Sequence, residues 1–205
     1  MSTSTPSSLG RSLHLPTSLR TTLCILLLAG SSFLRAQSLQ DKLDFAATYT
    51  AERSLKSGTS QNFWMQGGAV ELGANVWHGL GIAANITGTH AGSIGMSGVP
   101  LSLVTVTFGP RYRWHAEHRI SIYGEGLIGE ANGFRSIFPA MAGQQSEANG
   151  FASQVGGGID YKLSDRLAIR ALDAAWSRTQ LPNSTDNVQN TLRLGAGIVL
   201  RFARQ

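Results

Sequence analysis

The stretch QNTLRLGAGIVLRF, residues 189–202, decides the fold. Read at period two, Leu192, Leu194, Ala196, Ile198, Leu200 and Phe202 share one face. Thr191, Arg193, Gly195, Gly197, Val199 and Arg201 share the other. Unbroken alternation of this kind marks a strand, because successive strand side chains point to opposite sides. The run is also long. A mean strand has about 5–6 residues, whereas a tilted strand crossing a bilayer needs about 9–11.

The same pattern recurs upstream. In 63–76, Val70, Leu72, Ala74 and Val76 oppose Ala69, Glu71, Gly73 and Asn75; in 80–87, Leu80, Ile82, Ala84 and Ile86 oppose Gly81, Ala83, Asn85 and Thr87. In 103–114, Val104, Val106, Phe108, Pro110, Tyr112 and Trp114 oppose Thr105, Thr107, Gly109, Arg111 and Arg113. Residues 151–162 set Phe151, Val155, Ile159 and Tyr161 against Gln154, Gly156, Gly158, Asp160 and Lys162. Weaker copies occupy 43–52, 120–129 and 167–176, which makes eight strands. Their connections alternate in length. Those at 77–79, 115–118 and 164–166 are tight; those at 53–62, 90–100, 131–149 and 179–189 are long and polar. Strict alternation of short and long connections predicts an all-β fold, an eight-stranded antiparallel up-and-down transmembrane β-barrel.

Composition agrees. The 205 residues include 24 glycines, and only 14% are charged against 42% hydrophobic. That balance excludes disorder and a coiled coil, and a mean hydropathy of −0.03 excludes a bundle of membrane helices. The formal charge of +5 owes much to the first residues. Met1–Leu19 is polar, with Arg11 and then Arg20 as its basic groups, and the apolar run Leu23–Gly30 and Ser31–Ala36 follow. This is the layout of a secretory signal, with cleavage expected after Ala36. The expected domains are a cleaved signal at 1–36 and a barrel at 37–205. The apolar run is about half of the roughly 20 residues a helical span needs. Taking Arg11, Arg20 and Arg35 from the seventeen basic residues leaves fourteen against twelve acidic, and Cys24, the only cysteine, is lost with them. The remaining chain has no disulfide to make, and no basic patch interleaved with aromatics, so nucleic acid is not an expected partner.

Charge fixes which face turns inward. Asp44, Glu71, Glu125 and Asp160 share the polar face with Arg111, Arg113, Arg170, Arg193 and Arg201. An arginine turned to lipid costs about 2–4 kcal/mol at the midplane, and several would rival a whole protein's stability of roughly 5–15 kcal/mol. These nine residues are therefore expected to form an ion-pair network filling the interior. Eight strands enclose room for side chains and little more. Trp77, Tyr112, Trp114, Tyr161 and Phe202 fall beside the short turns; Tyr49, Phe63, Trp64, Phe151 and Trp176 fall beside the long loops. Two such sets are expected to form aromatic girdles at the lipid interfaces. One strand breaks phase: regular alternation would carry Asp173 to the outer wall, so a β-bulge is expected at Ala171-Leu172. Pro110 lacks a ladder donor, which predicts a local irregularity.

Several of these residues carry a resemblance: Gly109-Pro110-Arg111-Tyr112, Gly156 to Asp160, Ile169-Arg170 with Asp173, and Gln189-Asn190 through Leu192-Arg193 and Gly197-Ile198 to Arg201-Phe202. With them the chain resembles the OmpA-like outer-membrane β-barrels, above all small barrel-only, porin-like members from Gram-negative bacteria. The resemblance spans the whole segment after the leader, the first strand by pattern alone. It implies insertion by the outer-membrane assembly machinery through the C-terminal strand, although Phe202 is followed by Ala203, Arg204 and Gln205 rather than ending the chain. It implies contact with membrane lipid and lipopolysaccharide and a monomer; the chain departs from full-length OmpA in having no second domain after the barrel, so no cell-wall tether is expected.

Chemistry-bearing groups are sparse. His115, Glu117 and His118 share one short turn, with His78 in another, but close neighbours on a turn rarely converge on a metal. His90 with Ser93 and Ser97 could serve a rim enzyme acting on lipid, yet no nucleophile elbow or acid partner accompanies them. Glu71, Glu125 and Asp160 are explained by arginine pairing before acid–base work. The glycines at 156–158 lack the strand-to-helix setting of a dinucleotide site. The expected role is structural or surface-exposed, in envelope stability or adhesion, without catalytic residue, metal or cofactor. The alternatives are a narrow porin-like channel and an outer-membrane lipid-modifying enzyme.

Overall fold

A computed structural model describes residues 43–55, 62–94, 98–116, 118–140, 143–183 and 187–202. The leader at 1–36 and its cleavage, Ser97, Glu117 and the three residues after Phe202 lie outside this set. Eight strands run in chain order: β1 (Leu43–Leu55), β2 (Trp64–Trp77), β3 (Leu80–Ala91), β4 (Leu101–Trp114), β5 (Ile120–Ala140), β6 (Gly143–Lys162), β7 (Leu167–Thr179) and β8 (Gln189–Phe202). Each pairs antiparallel with the next, and β1 pairs with β8 to close the barrel. That seam runs in unbroken register from Leu43 opposite Phe202 to Leu55 opposite Asn190. Closure leaves no edge strand, which a sheet in lipid requires because unpaired backbone groups there have no water to bond.

The side chains sort as the alternation predicts. Leu194, Ile198 and Leu200 are exposed on the outer wall, while Arg193 and Val199 are buried inside. Small inward residues make room for large charged neighbours. A Cβ on Gly73 would stand 2.7 Å from Asp44 Oδ1 and also collide with the Arg111 guanidinium. Likewise, Gly158 lies under the Tyr123 ring, whose Cε1 would be 2.8 Å from an added Cβ.

The irregularities fall where the sequence conflicts with a plain ladder. Ile159 pairs with Leu172 and Asp160 with Arg170, so Ala171 is extra against β6. Against β8 the register also shifts between Arg170 and Asp173. Ala171 and Leu172 both face outward, Asp173 is 1% exposed and Trp176 returns to the outer wall. The expected bulge is therefore present, and it restores a carboxylate to the interior. Pro110 has a milder effect. Pairing of β4 with β5 lapses between Phe108 and Arg111 and resumes in the same register.

The connections need one correction. The segment 131–149, read as a long loop, is mostly strand: β5 and β6 continue as a ribbon through Asn132 opposite Asn149 to Ala140 opposite Gly143. A protruding segment must satisfy its backbone groups, and pairing with its own return does so. The ribbon is broken once, between Phe134 and Phe138, where Arg135 has φ 57. Leu55, Ala91 and Thr179 likewise carry β1, β3 and β7 past their expected ends. The tight turn at His78-Gly79 has positive φ at both residues, 44 and 86, the backbone of a two-residue hairpin whose twist suits the strands.

The outward phase predicts a specific sensitivity. Ile198→Arg should lower stability by about 2–4 kcal/mol in urea unfolding from lipid vesicles. Ile198→Leu should cost less than about 1.5 kcal/mol.

Candidate functional site

The interior in the short-turn half of the barrel holds a connected set of ions. Arg111 on β4 is its hub. Its Nη1 lies 3.0 Å from Asp44 Oδ1 on β1 and its Nε 3.2 Å from Glu125 Oε2 on β5. Its Nη2 meets Glu71 Oε1 on β2. Arg113 joins Asp44 at 3.2 Å to Asp160 at 3.1 Å. Arg170 on β7 completes the ring, 2.7 Å from Glu71 and 3.0 Å from Asp160. Towards the long-loop end, Arg193 reaches Asp173 at 3.3 Å and donates to Thr87 Oγ1 at 2.7 Å. Asn85 and Gln154 donate to Glu71 and Glu125 at 3.3 and 3.4 Å.

Eight of the nine expected network residues meet here. Arg201 makes its described contacts nearer the short turns. It stands opposite Asp44 in register, is half-buried, and donates to Ala116 O at 3.5 Å and Ser121 Oγ at 3.1 Å.

Further members besides these were not anticipated. Tyr123 on β5 is 2% exposed and lies at the centre. The guanidinium carbons of Arg170, Arg111 and Arg113 stand 4.3, 5.0 and 5.8 Å from its ring centroid. Cations over an aromatic face are attracted by its quadrupole, and the Tyr123 hydroxyl donates to Asp173 at 3.0 Å. Glu52 on β1 is buried beside Arg193, its partner across the seam. Asn85 supplies the neutral link between Glu71 and the Arg193 group. Both Glu52 and Tyr123 hold the phase of a recognised inward neighbour, Asp44 and Glu125, and that phase was the available signal.

The seven expected interface aromatics, Trp64, Trp77, Tyr112, Trp114, Tyr161, Trp176 and Phe202, are all exposed on the outer wall. Tyr112 and Trp114 pack edge to face at 4.5 Å near the short turns. Tyr49 and Phe151 are also outward. Phe63, assigned to a girdle from its position, instead packs against a buried apolar cluster inside the long-loop end. It precedes β2, so strand alternation does not govern it.

The remaining candidates are turn and strand features. The His78 ring packs on Trp77 at 4.9 Å, and His115 (φ 54) packs on His118 at 5.2 Å. Among the described residues no group of three or more His, Cys, Asp or Glu side chains could hold a metal. His90 Nδ1 lies 3.0 Å from Ser102 Oγ across β3 and β4, and Ser102 is buried.

No family model matches the chain, and no curated protein matches it either. Solved structures do. Neisserial surface protein A superposes with a TM-score of 0.59 at 13% identity, covering 78% of this chain and 97% of that one. Ail, the attachment invasion locus protein of Yersinia pestis, gives 0.52 at 20% identity, covering 78% and 99%. A second Ail structure, in complex with the heparin analogue sucrose octasulfate, gives 0.52 at 21% identity, covering 77% and 97%. At these identities the likeness defines the fold: the chain has the architecture of the small outer-membrane β-barrels, as its OmpA-like motifs imply.

Removing one member of a buried ion group strands its partners, at about 3–5 kcal/mol. Arg111→Met should cost at least that much in urea unfolding from vesicles. Tyr123→Phe, which removes one hydrogen bond to a charged group, should cost about 1.5–3 kcal/mol. Tyr123→Leu should cost more, because it also removes the face over which Arg170 lies.

Proposed function

We propose that this chain is a non-enzymatic outer-membrane barrel with a structural or surface-exposed role in envelope stability or adhesion. In this reading it is exported by a cleaved signal, inserted through its C-terminal strand and embedded as a monomer among lipid and lipopolysaccharide. The observation that carries it is the Arg111 group. One guanidinium ties β4 to β1, β2 and β5 across the lumen. Side chains so bound occupy the space a permeating solute would need. The barrel then offers the outside chiefly its rim, where the β5–β6 ribbon projects furthest from the closed sheet. A scaffold that holds a rim rigidly suits surface contact, since binding segments work best on a fixed frame.

The channel alternative makes the opposite electrical prediction. Purified chain in a planar bilayer should show no conductance steps, and the same preparation should run at a different gel position before and after boiling. Regular steps would make the narrow-pore reading correct. Loss of the gene should raise detergent sensitivity or reduce surface attachment without altering the lipid A mass spectrum. A changed lipid A spectrum would instead indicate a lipid-modifying enzyme.

A further inference from the structure

We infer that the long-loop mouth of the barrel is a binding pocket for one small uncharged molecule with an apolar body and a hydrogen-bonding end. This goes beyond a structural or surface role, and it depends on the mouth alone.

A cavity of about 420 Å³ lies there. It is walled mainly by apolar side chains, among them Phe63, Met65, Leu103, Phe138 and Leu181, and among the described residues no ionisable group lines it. Well-packed interiors leave few voids larger than a water, and this one is more than ten times the ~30 Å³ share of a water molecule. It falls in the roughly 300–1,000 Å³ range of small-molecule sites, which are mostly apolar with few polar groups.

The walls are held in place. The Gln189 amide braces the end of β7 from both sides: its Nε2 donates to Leu181 O at 2.8 Å, and its Oε1 accepts from Leu181 N at 2.9 Å. Thr179 Oγ1 donates to the same Oε1 at 3.3 Å. Beyond it, Asn183 and Asn187 exchange side-chain to backbone hydrogen bonds of 3.0 Å in each direction. On the ribbon side, a Cβ on Gly133 would come within 2.6 Å of the Phe138 ring and 3.3 Å of Leu181, so this glycine lets the two side chains meet. A preformed site loses less order on binding.

Chemistry selects the occupant. With no charged group among the described lining residues, an ion or a charged sugar would forfeit its hydration against them without compensation. Ser54 and Thr191 face each other across the β1–β8 seam and place hydroxyls on the lining. They suit one neutral donor or acceptor; Thr179, Asn183 and Gln189 on the lining already hold hydrogen bonds, and the apolar part of the wall suits hydrocarbon or an aromatic ring. Below them lie Glu52, Arg193 and the ion group, so the pocket is blind and the molecule binds without passing through.

The test is 1-naphthol titrated into methyl-labelled full-length chain in lipid nanodiscs, read by intermolecular NOEs and methyl shifts. Saturable shifts with NOEs to Met65, Leu103 and Leu181 are expected. Thr191→Trp should fill the pocket and weaken binding by about tenfold or more, while heat-modifiable migration shows that it folds. NOEs confined to the outward methyls of Leu194, Ile198 and Leu200 would mean partition into lipid and overturn the proposal. So would unchanged affinity in the folded variant. If Thr191→Trp does not fold, the wild-type NOE pattern decides alone.

Discussion

The Arg111 guanidinium, bound at once by Asp44, Glu71 and Glu125, is the constraint on which the rest of the barrel depends. A buried guanidinium in a narrow lumen is tolerable only when carboxylates from other strands converge on it. That requirement sets the facing of β1, β2, β4 and β5 together. A slip of one residue in β1, β2 or β5 would turn an acid to lipid and leave the arginine short of a partner, and a slip in β4 would turn the arginine itself to lipid. Charge pairing thus acts as a register device, and the apolar outer wall follows from it. Each strand that sends an arginine or an acid inward must send its leucines and isoleucines outward.

The same constraint explains the irregular features. β7 carries Arg170 and Asp173 three residues apart, so regular alternation could bury only one of them. The bulge at Ala171-Leu172 buries both, at the expense of one unpaired residue. Glycines at 73 and 158 are required by bulk, since a guanidinium and a phenol occupy the volume their side chains would take. Above the ions the interior changes character. Met65, Leu103, Phe138 and Leu181 form an apolar cluster, braced by Gln189 and the ribbon, where the wall no longer needs to answer buried charge. The barrel is therefore a polar plug beneath an apolar mouth.

Strand number, facing and the bulge were legible because each rests on period-two alternation, a local property of the chain. β8 needed no more than its own fourteen residues. The β5–β6 ribbon was illegible for the same reason: Gly, Ser, Asn and Gln between 143 and 150 carry no apolar alternation, since 143–147 are exposed on both faces and only Ala148 turns into the apolar cluster. The membership of the ion network was readable, but its pairing was not. Whether Arg113 meets Asp44 or Glu71 depends on the stagger of distant strands. Tyr123 shares the phase of Glu125, yet a tyrosine gives no sign by itself of whether it faces arginines or lipid. The mouth pocket was beyond reach, because its walls come from the ends of seven strands and from connections without period.

The most direct test of the account is a nitroxide scan by single cysteines introduced along residues 191–201 of the cysteine-free segment 37–205 in lipid vesicles, measuring collision with oxygen dissolved in the bilayer. Accessibility should alternate at period two, high at 192, 194, 198 and 200 and low at 191, 193 and 199. An inverted phase, or a flat profile along β8, would contradict it.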